Sequence, residues 1–481
     1  MNLNLKNDNK TAKTLSWAIF AVFAILTFVL MLNRTPFFDE AHAWMVSKSF
    51  NLIELFKIEK FEGHLFIWHF LLMPFSKNDL FYPYSMYILN WIFCIFSMFV
   101  FWKFSPFKQI EKVLITFSFP IFWYFVQVAR CYSIGLLFLF LILTLWKERT
   151  KKPILISLLL ILLANTSAMA LIGAFSLGLI FIFDILKEKI DKKNLIYSFL
   201  ILFFGAVLVY IQLFGAEYKL FELYKNDFIS RITTFFFIFE IGDTNPFIFI
   251  FSKILSAVIF INLFFAPLYL KNSKSGLLFF IVSYSLMLSL FIFKYPGSWW
   301  HYLFFFIFLI AAIWLKRIET NKKGVFEKPF NILFFILISL LFFETFIFKI
   351  EKYPYVYFGE GKEIANIIKK NGLFENVDKI VALDYFNDIS VGINPYFKNL
   401  KMYDVFGHQR YTPDGYKNNI YNHKNQINYN NIYNILDKNS KSIAISSNTF
   451  DLDKQKTGNI KFTKVFLNKN PNFIIYELEK N

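Results

Sequence analysis

The chain predicts a mainly α-helical, multi-span membrane protein with a small α/β domain at its C-terminal end. Three observations carry this reading: the apolar content, basic clusters that recur between long apolar stretches, and an abrupt change of composition near residue 350. Of 481 residues, 56% are hydrophobic and 21% aromatic, with 68 phenylalanines; such a chain exceeds the apolar content of a soluble globular protein. A formal net charge of +17 would point to nucleic acid in a soluble chain. Here the excess lies mostly in short loops, where it sorts loops by side of the membrane, and no nucleic-acid partner is expected.

The elements follow in order. Residues 1–13 are polar, with Lys6, Lys10 and Lys13, and the apolar run 15–32 is too long for a signal-peptide core. No small-x-small cleavage pattern ends it, so it reads as an uncleaved first span with a cytoplasmic N-terminus. Basic clusters then recur at Lys103/Lys108/Lys112, Lys147/Arg149/Lys151/Lys152, Lys187/Lys189/Lys192/Lys193, Lys271/Lys274 and Lys316/Arg317/Lys322/Lys323/Lys328. The positive-inside rule places all five in the cytoplasm, so each apolar stretch between them crosses an even number of times and forms a helical hairpin. The hairpin turns, at 127–132, 165–167, 217–245 and 294–301, are then extracytoplasmic. The interval 217–245 carries Glu217, Glu222, Asp227, Arg231, Glu240 and Asp243 and is long enough for an amphipathic surface helix. Together with the first span, one after the loop 33–84 and a last one near 330–349, the hairpins give about eleven spans in a multi-pass plasma (inner) membrane protein. The two halves of the 153–186 hairpin look short for a full crossing, as tilted or recessed helices facing a cavity would.

From residue 351 the composition turns to Asn, Lys, Tyr and Asp. Apolar runs at 379–384, 442–446 and 473–476 read as short strands alternating with helices near 361–371 and 427–438, an α/β pattern. The expected division is a transmembrane domain over 1–350, with the loop 33–84 inserted, and an extracytoplasmic domain over 351–481. Its Gly359-x-Gly361 is no phosphate loop. Cys94 and Cys131 both lie in hydrophobic segments, without metal-site spacing and with no disulfide for an exposed domain.

The candidate chemistry clusters on the predicted outer side. Just after the first span the chain reads Phe37-Phe38-Asp39-Glu40-Ala41-His42-Ala43-Trp44, an expensive place for charge without a function. Asp39 and Glu40 point about 100° apart on a helix and cannot share one proton. Asp39 and His42, three apart, can share a face; alternatively Asp39 caps a helix starting after Pro36. The loop continues through Glu62-Gly63-His64 to His69. His69 fits an amphipathic interface residue, and His64 is open to either reading. Arg130, in Val128-Ala129-Arg130-Cys131-Tyr132-Ser133, can pair with a bilayer phosphate or with the phosphate of a specific lipid substrate. At the last turn Lys294, Trp299, Trp300, His301 and Tyr302 join cation, imidazole and aromatic faces; the tryptophans suit interface anchoring or stacking on a sugar ring. No Ser-His-Asp order, nucleotide loop or CxxC pair stands out in these turns.

In order and topology these motifs resemble the GT-C class of polytopic glycosyltransferases, especially the family of protein O-mannosyltransferases and lipid A aminoarabinose transferases. Asp39-Glu40 looks like that family's acidic pair in the first extracytoplasmic loop, Glu62-Gly63-His64 like its following segment, and Arg130-Cys131-Tyr132 like its Arg-x-Tyr signature. The resemblance covers residues 1 to about 350 and departs at Leu65-Phe66, where the family often has prolines. It implies transfer of a sugar from a polyprenyl-phosphate donor to a hydroxyl of a protein, lipid or polysaccharide acceptor, by inversion. Asp39 would be the general base, with Glu40 beside it in the catalytic pair but without an assigned task, pointing toward structure, donor or metal. Substrate binding would fall to His42, His64, Arg130, Tyr132, Lys294, Trp299, Trp300 and His301. Arg130 would stabilise the leaving phosphate, with Lys294 or His301 in second line. A divalent cation held by Asp39, Glu40 and a histidine is an alternative, and no metal ligand is assigned.

Two other functions use the same features. A lipid-linked glycan transporter or flippase places ionisable groups at the midplane, often in inverted repeats, whereas these candidates cluster on one rim. A polysaccharide polymerase or ligase would depend on several outward arginines, and the chain offers Arg34, Arg130 and Arg231 before the tail.

Overall fold

The computed structural model describes residues 3–188, 190–214, 246–294, 299–320, 322, 324–346, 360–375, 377–383, 388–397, 400–404, 408–412, 429–436, 441–446, 460–469 and 472–480. In chain order the helices are α1 (Leu3–Leu32), α2 (Phe38–Ser49), α3 (Leu52–Ile58), α4 (Ile67–Ser76), α5 (Tyr84–Phe104), α6 (Gln109–Thr116), α7 (Tyr132–Leu145), α8 (Pro153–Ala164), α9 (Ala168–Lys187), α10 (Lys192–Leu213), α11 (Pro246–Leu270), α12 (Lys274–Phe293), α13 (Trp299–Glu319) and α14 (Glu327–Glu344). The C-terminal elements are α15 (Gly361–Lys370), β1 (Val377–Ala382), α16 (Asp388–Ile393), β2 (Lys401–Tyr403), α17 (Tyr429–Ile435), β3 (Lys441–Ser446), β4 (Ile460–Lys469) and β5 (Asn472–Lys480). Two compact units result. One comprises Met1–Leu32, Gly63–Trp68 and Tyr87–Lys352; the other comprises Asn33–Glu62, His69–Met86 and Tyr353–Asn481.

The helical unit belongs to a membrane protein. Among the described residues, seven helical segments are long and apolar enough to cross a bilayer: Thr14–Leu32, Tyr84–Phe104, Ala168–Lys187, Lys192–Leu213, Ile250–Leu270, Lys274–Phe293 and Trp300–Glu319. They differ in what covers them. The Trp300–Glu319 window is 83% buried, the Lys192–Leu213 window only 17%, so α13 is the inner helix and α10 presents Phe203, Phe204 and Ile211 outward. An apolar face of that size needs lipid. Inside, aromatic rings fill the contacts: Trp314 meets Phe101, Phe107 and Phe140 at centroid distances of 5.9, 6.5 and 5.5 Å. Packing of this kind holds membrane helices together, because lipid tails are as apolar as the core.

The expected eleven spans exceed these seven. The hairpin between Lys112 and Lys147 is built from the 8-residue α6, a π turn at Pro120–Phe125 and the 14-residue α7, none of which is by itself a full-length apolar span. In the 153–186 hairpin only α8, with 12 residues, is short; α9 has 20 and is full length. The last helix, α14, carries Glu327 and Lys328 at its start and Glu344 at its end and is not among the seven. The surface helix expected in 217–245 lies outside the described residues.

The basic clusters do gather at one end of the helical unit, held by contacts between successive loops. Arg149 donates to Asp184 at 2.8 Å, and Lys274 lies 3.9 Å from the Phe183 ring centroid. Lys316 lies over Tyr269 and pairs with Glu327. Arg317 forks onto Glu111 at 2.7 and 2.9 Å, and Lys112 donates to the Trp102 carbonyl at 2.6 Å. Burial would raise the Glu111 carboxyl, but the Arg317 guanidinium outweighs it and holds the group below the usual carboxylate range. α7 runs from Tyr132 to this end, as α13 does from Trp299, so the starts of both helices lie at the opposite end, about 20 Å away for α7.

In the second unit a five-stranded sheet has the order β2-β1-β3-β5-β4, with β1 parallel to β2 and β3, and β5 antiparallel to β3 and β4. Alternating side chains serve two faces. Ile380, Ile443, Ile445 and Ile475 pack under α15 through Ile364, Ala365 and Ile368, while Val381, Ala444, Ile474 and Tyr476 pack against Ile432 of α17. Gly361 starts α15 because a β-carbon there would fall 2.5 Å from the Gly392 backbone. The loop assigned with the transmembrane domain joins this unit instead. Trp44 of α2, fully buried, meets Tyr82 at 5.0 Å, and Tyr82 meets Tyr396 at 5.1 Å. The boundary expected at residue 350 therefore does not separate the compact units: 33–62 and 69–86 fold with the C-terminal segment.

Candidate functional site

In the α/β unit, α2 presents the acidic pair, and the two carboxylates have different surroundings. The N-cap is Phe37, in extended conformation at φ −69° and ψ 151°, so Asp39 is not the cap. That task falls to Glu40, whose carboxylate accepts from the Phe37 N–H at 2.6 Å. Arg34 forks onto both Glu40 oxygens at 2.6 and 2.5 Å, with both side chains fully buried. A bidentate pair of this kind fixes orientation as well as charge. It also occupies the oxygens that a metal bound by Asp39, Glu40 and a histidine would need. Asp39 stands in the first turn, half-buried, where the helix dipole favours a negative charge.

One turn on, His42 Nε2 meets Glu62 Oε1 at 2.9 Å, and its Nδ1 faces the Tyr411 hydroxyl at 3.4 Å. Burial pushes the Tyr411 phenol up to about 12; Arg410 pulls it down and Glu62 adds to the rise. A second histidine of the loop, His69, is buried against Glu59 at 2.8 Å, inside the unit rather than at an interface as its aromatic context implied.

In the helical unit, the predicted residues His64, Arg130, Tyr132, Trp300 and His301 come together at the end away from the basic clusters. Gly63, at φ 68°, turns the chain into a short extended segment. Its Leu65 N–H bonds to the Thr166 carbonyl at 3.3 Å, and its Gly63 carbonyl accepts from Ala168 at 3.2 Å. Gln212 accepts from the Phe66 N–H at 2.9 Å and donates to Asn165 at 2.8 Å. His64, so held, places Nδ1 at 3.3 Å from Cys131 Sγ and its ring edge-on to Tyr132. The Tyr132 hydroxyl lies 3.5 Å from His301 Nε2. Tyr124 stacks on Trp300 at 6.4 Å and 18°. Arg130 is 3% exposed and within electrostatic range of His301. The π turn before it and the Asn90 side chain, which donates to the Val126 carbonyl at 2.8 Å and accepts from Ser133 at 2.6 Å, shape this segment.

Of the other predicted residues, Lys294 is exposed at the end of α12. The 295–298 part of its turn and the Trp299 side chain lie outside the described residues. Sequence reasoning missed Arg34 as the partner of Glu40, the polar clamps Asn90, Asn165 and Gln212, and Tyr411. Intramembrane Asn and Gln were a visible signal for the clamps; Tyr411, 369 positions from His42, had none. No family model, curated protein or solved structure matches the chain.

Proposed function

We propose that the chain is a membrane glycosyltransferase of the GT-C kind, moving a sugar from a polyprenyl-phosphate carrier to an acceptor hydroxyl at the extracytoplasmic face. The observation that carries the reading is the segregation of the helical unit: basic clusters at one end, and at the other a buried arginine among imidazole, phenol and indole groups. With the basic end cytoplasmic, Arg130 belongs to the outer end, where positive-inside bias gives arginine no topological reason to be.

The roles follow from the chemistry. A phosphate leaving the anomeric carbon gains charge, and a preorganised, desolvated guanidinium stabilises it; this is the role of Arg130, with His301 and Tyr132 beside it. The half-buried Trp300 ring, backed by Tyr124, offers a stacking face to a sugar. Asp39 accepts the proton of the attacking hydroxyl. Glu40, clamped by Arg34, orients α2 and so aims Asp39, acting as a positioning residue rather than a base. Because the donor carries its own leaving group, the reaction needs no nucleotide site.

Replacement Asp39→Asn keeps shape and removes the base. Transfer from a radiolabelled polyprenyl-phosphate sugar should fall by about 10²-fold or more, with membrane abundance unchanged. Full activity in that variant would sink the assignment.

A further inference from the structure

The C-terminal segment contributes more than cover to the acidic loop. Tyr411 follows β2, and its loop is tied down on both sides of the hydroxyl it presents. The Arg410 N–H bonds to the Met402 carbonyl at 2.8 Å and the Asp404 N–H to the His408 carbonyl at 3.0 Å. The Asp404 carboxylate takes the His408 N–H at 2.8 Å and faces its Nδ1 at 3.3 Å. Beyond Tyr411, Thr412 bonds back to Gln409 at 2.9 Å. The phenol is thus held in place rather than resting on a surface.

We infer that Tyr411 is a positioning residue for His42, completing a Glu62–His42–Tyr411 chain in which the C-terminal segment fixes the imidazole one turn from Asp39. The geometry sets the proton pattern. An ionised Glu62 only accepts, so His42 carries its proton on Nε2, 2.9 Å from Oε1. In the neutral imidazole that leaves Nδ1 as acceptor for the Tyr411 O–H, and burial keeps this phenol protonated through the neutral range. Both ring nitrogens are then committed, and the ring can neither flip nor change tautomer without losing a bond. A ring held this way has no hydrogen bond left to give, so it serves as a fixed steric wall one turn from Asp39, suited to limiting how an acceptor packs against that carboxylate. That last step rests on the proposed transfer reaction; the hydrogen-bond chain does not.

The test uses full-length protein labelled with ¹⁵N-histidine in detergent micelles, with the His42 resonances identified by their loss in His42→Gln. The expected result is an Nε2-protonated ring in the wild type whose Nδ1 resonance moves downfield in Tyr411→Phe, with the unfolding midpoint little changed. In Glu62→Gln the single-tautomer signal should be replaced by a mixture. In a transfer assay Tyr411→Phe should lower kcat by about tenfold and leave the donor KM unchanged. An Nδ1 resonance unmoved by Tyr411→Phe overturns the inference whatever the activity. A moved resonance with wild-type kcat overturns the positioning role. Absence of transfer in the wild type overturns the proposed function alone, and the resonance still decides the hydrogen-bond chain.

Discussion

His69 and Glu59 meet at 2.8 Å with 1% and 0% of their side-chain surface exposed, whereas His42 and Glu62, at 2.9 Å, keep 20% and 6%. Both pairs lie in the α/β unit, and both join an imidazole to a carboxylate. The closed pair can only hold the loop together, since nothing from solvent or substrate reaches it. The open pair has a third partner in Tyr411 and a carboxylate, Asp39, on the preceding turn. Identical chemistry thus has different uses according to access, and residue type alone does not separate structure from function.

The largest effect should come from breaking the closed pair. Glu59→Ala leaves the His69 ring buried without its carboxylate and should cost about 3–5 kcal/mol, read as a lower unfolding midpoint in detergent. Arg34→Ala, which strands the buried Glu40, should cost about 3 kcal/mol, and Arg34→Lys less, since charge is kept and only the fork is lost. The smallest effect on stability belongs to the open pair. Glu62→Gln should cost about 1 kcal/mol or less while lowering transfer by about tenfold. If Glu62→Gln unfolds the protein as readily as Glu59→Ala, the distinction between the pairs collapses; if Glu59→Ala is silent in stability, the closed pair is not structural.

Much of the helical unit was legible in the sequence because charge is costly in lipid. The Lys147–Lys152 and Lys316–Arg317 clusters marked one end, and Arg130, off pattern, marked the other. The strands at 379–384, 442–446 and 473–476 were legible too, from continuous apolar runs now seen in β1, β3 and β5. The edge strand β4 was missed: its polar residues Lys461 and Thr463 interrupt the apolar ones and are exposed. The expected eleven spans are matched by only seven continuous apolar helices among the described residues, because hydropathy measures apolar length and not helix continuity: the largely apolar run around Pro120 breaks into an 8-residue helix and a π turn. The union of the loop segments 33–62 and 69–86 with the C-terminal segment rests on contacts such as His42 with Tyr411 and Tyr82 with Tyr396, which leave no local pattern.

The most direct test of the account is the identity of the lipid that co-purifies with the protein, extracted from gently solubilised membranes and read by mass spectrometry beside an Arg130→Ala control. A polyprenyl monophosphate bearing one sugar, depleted in the control, is the predicted result. A diphosphate-linked oligosaccharide, bound equally by both proteins, would contradict it.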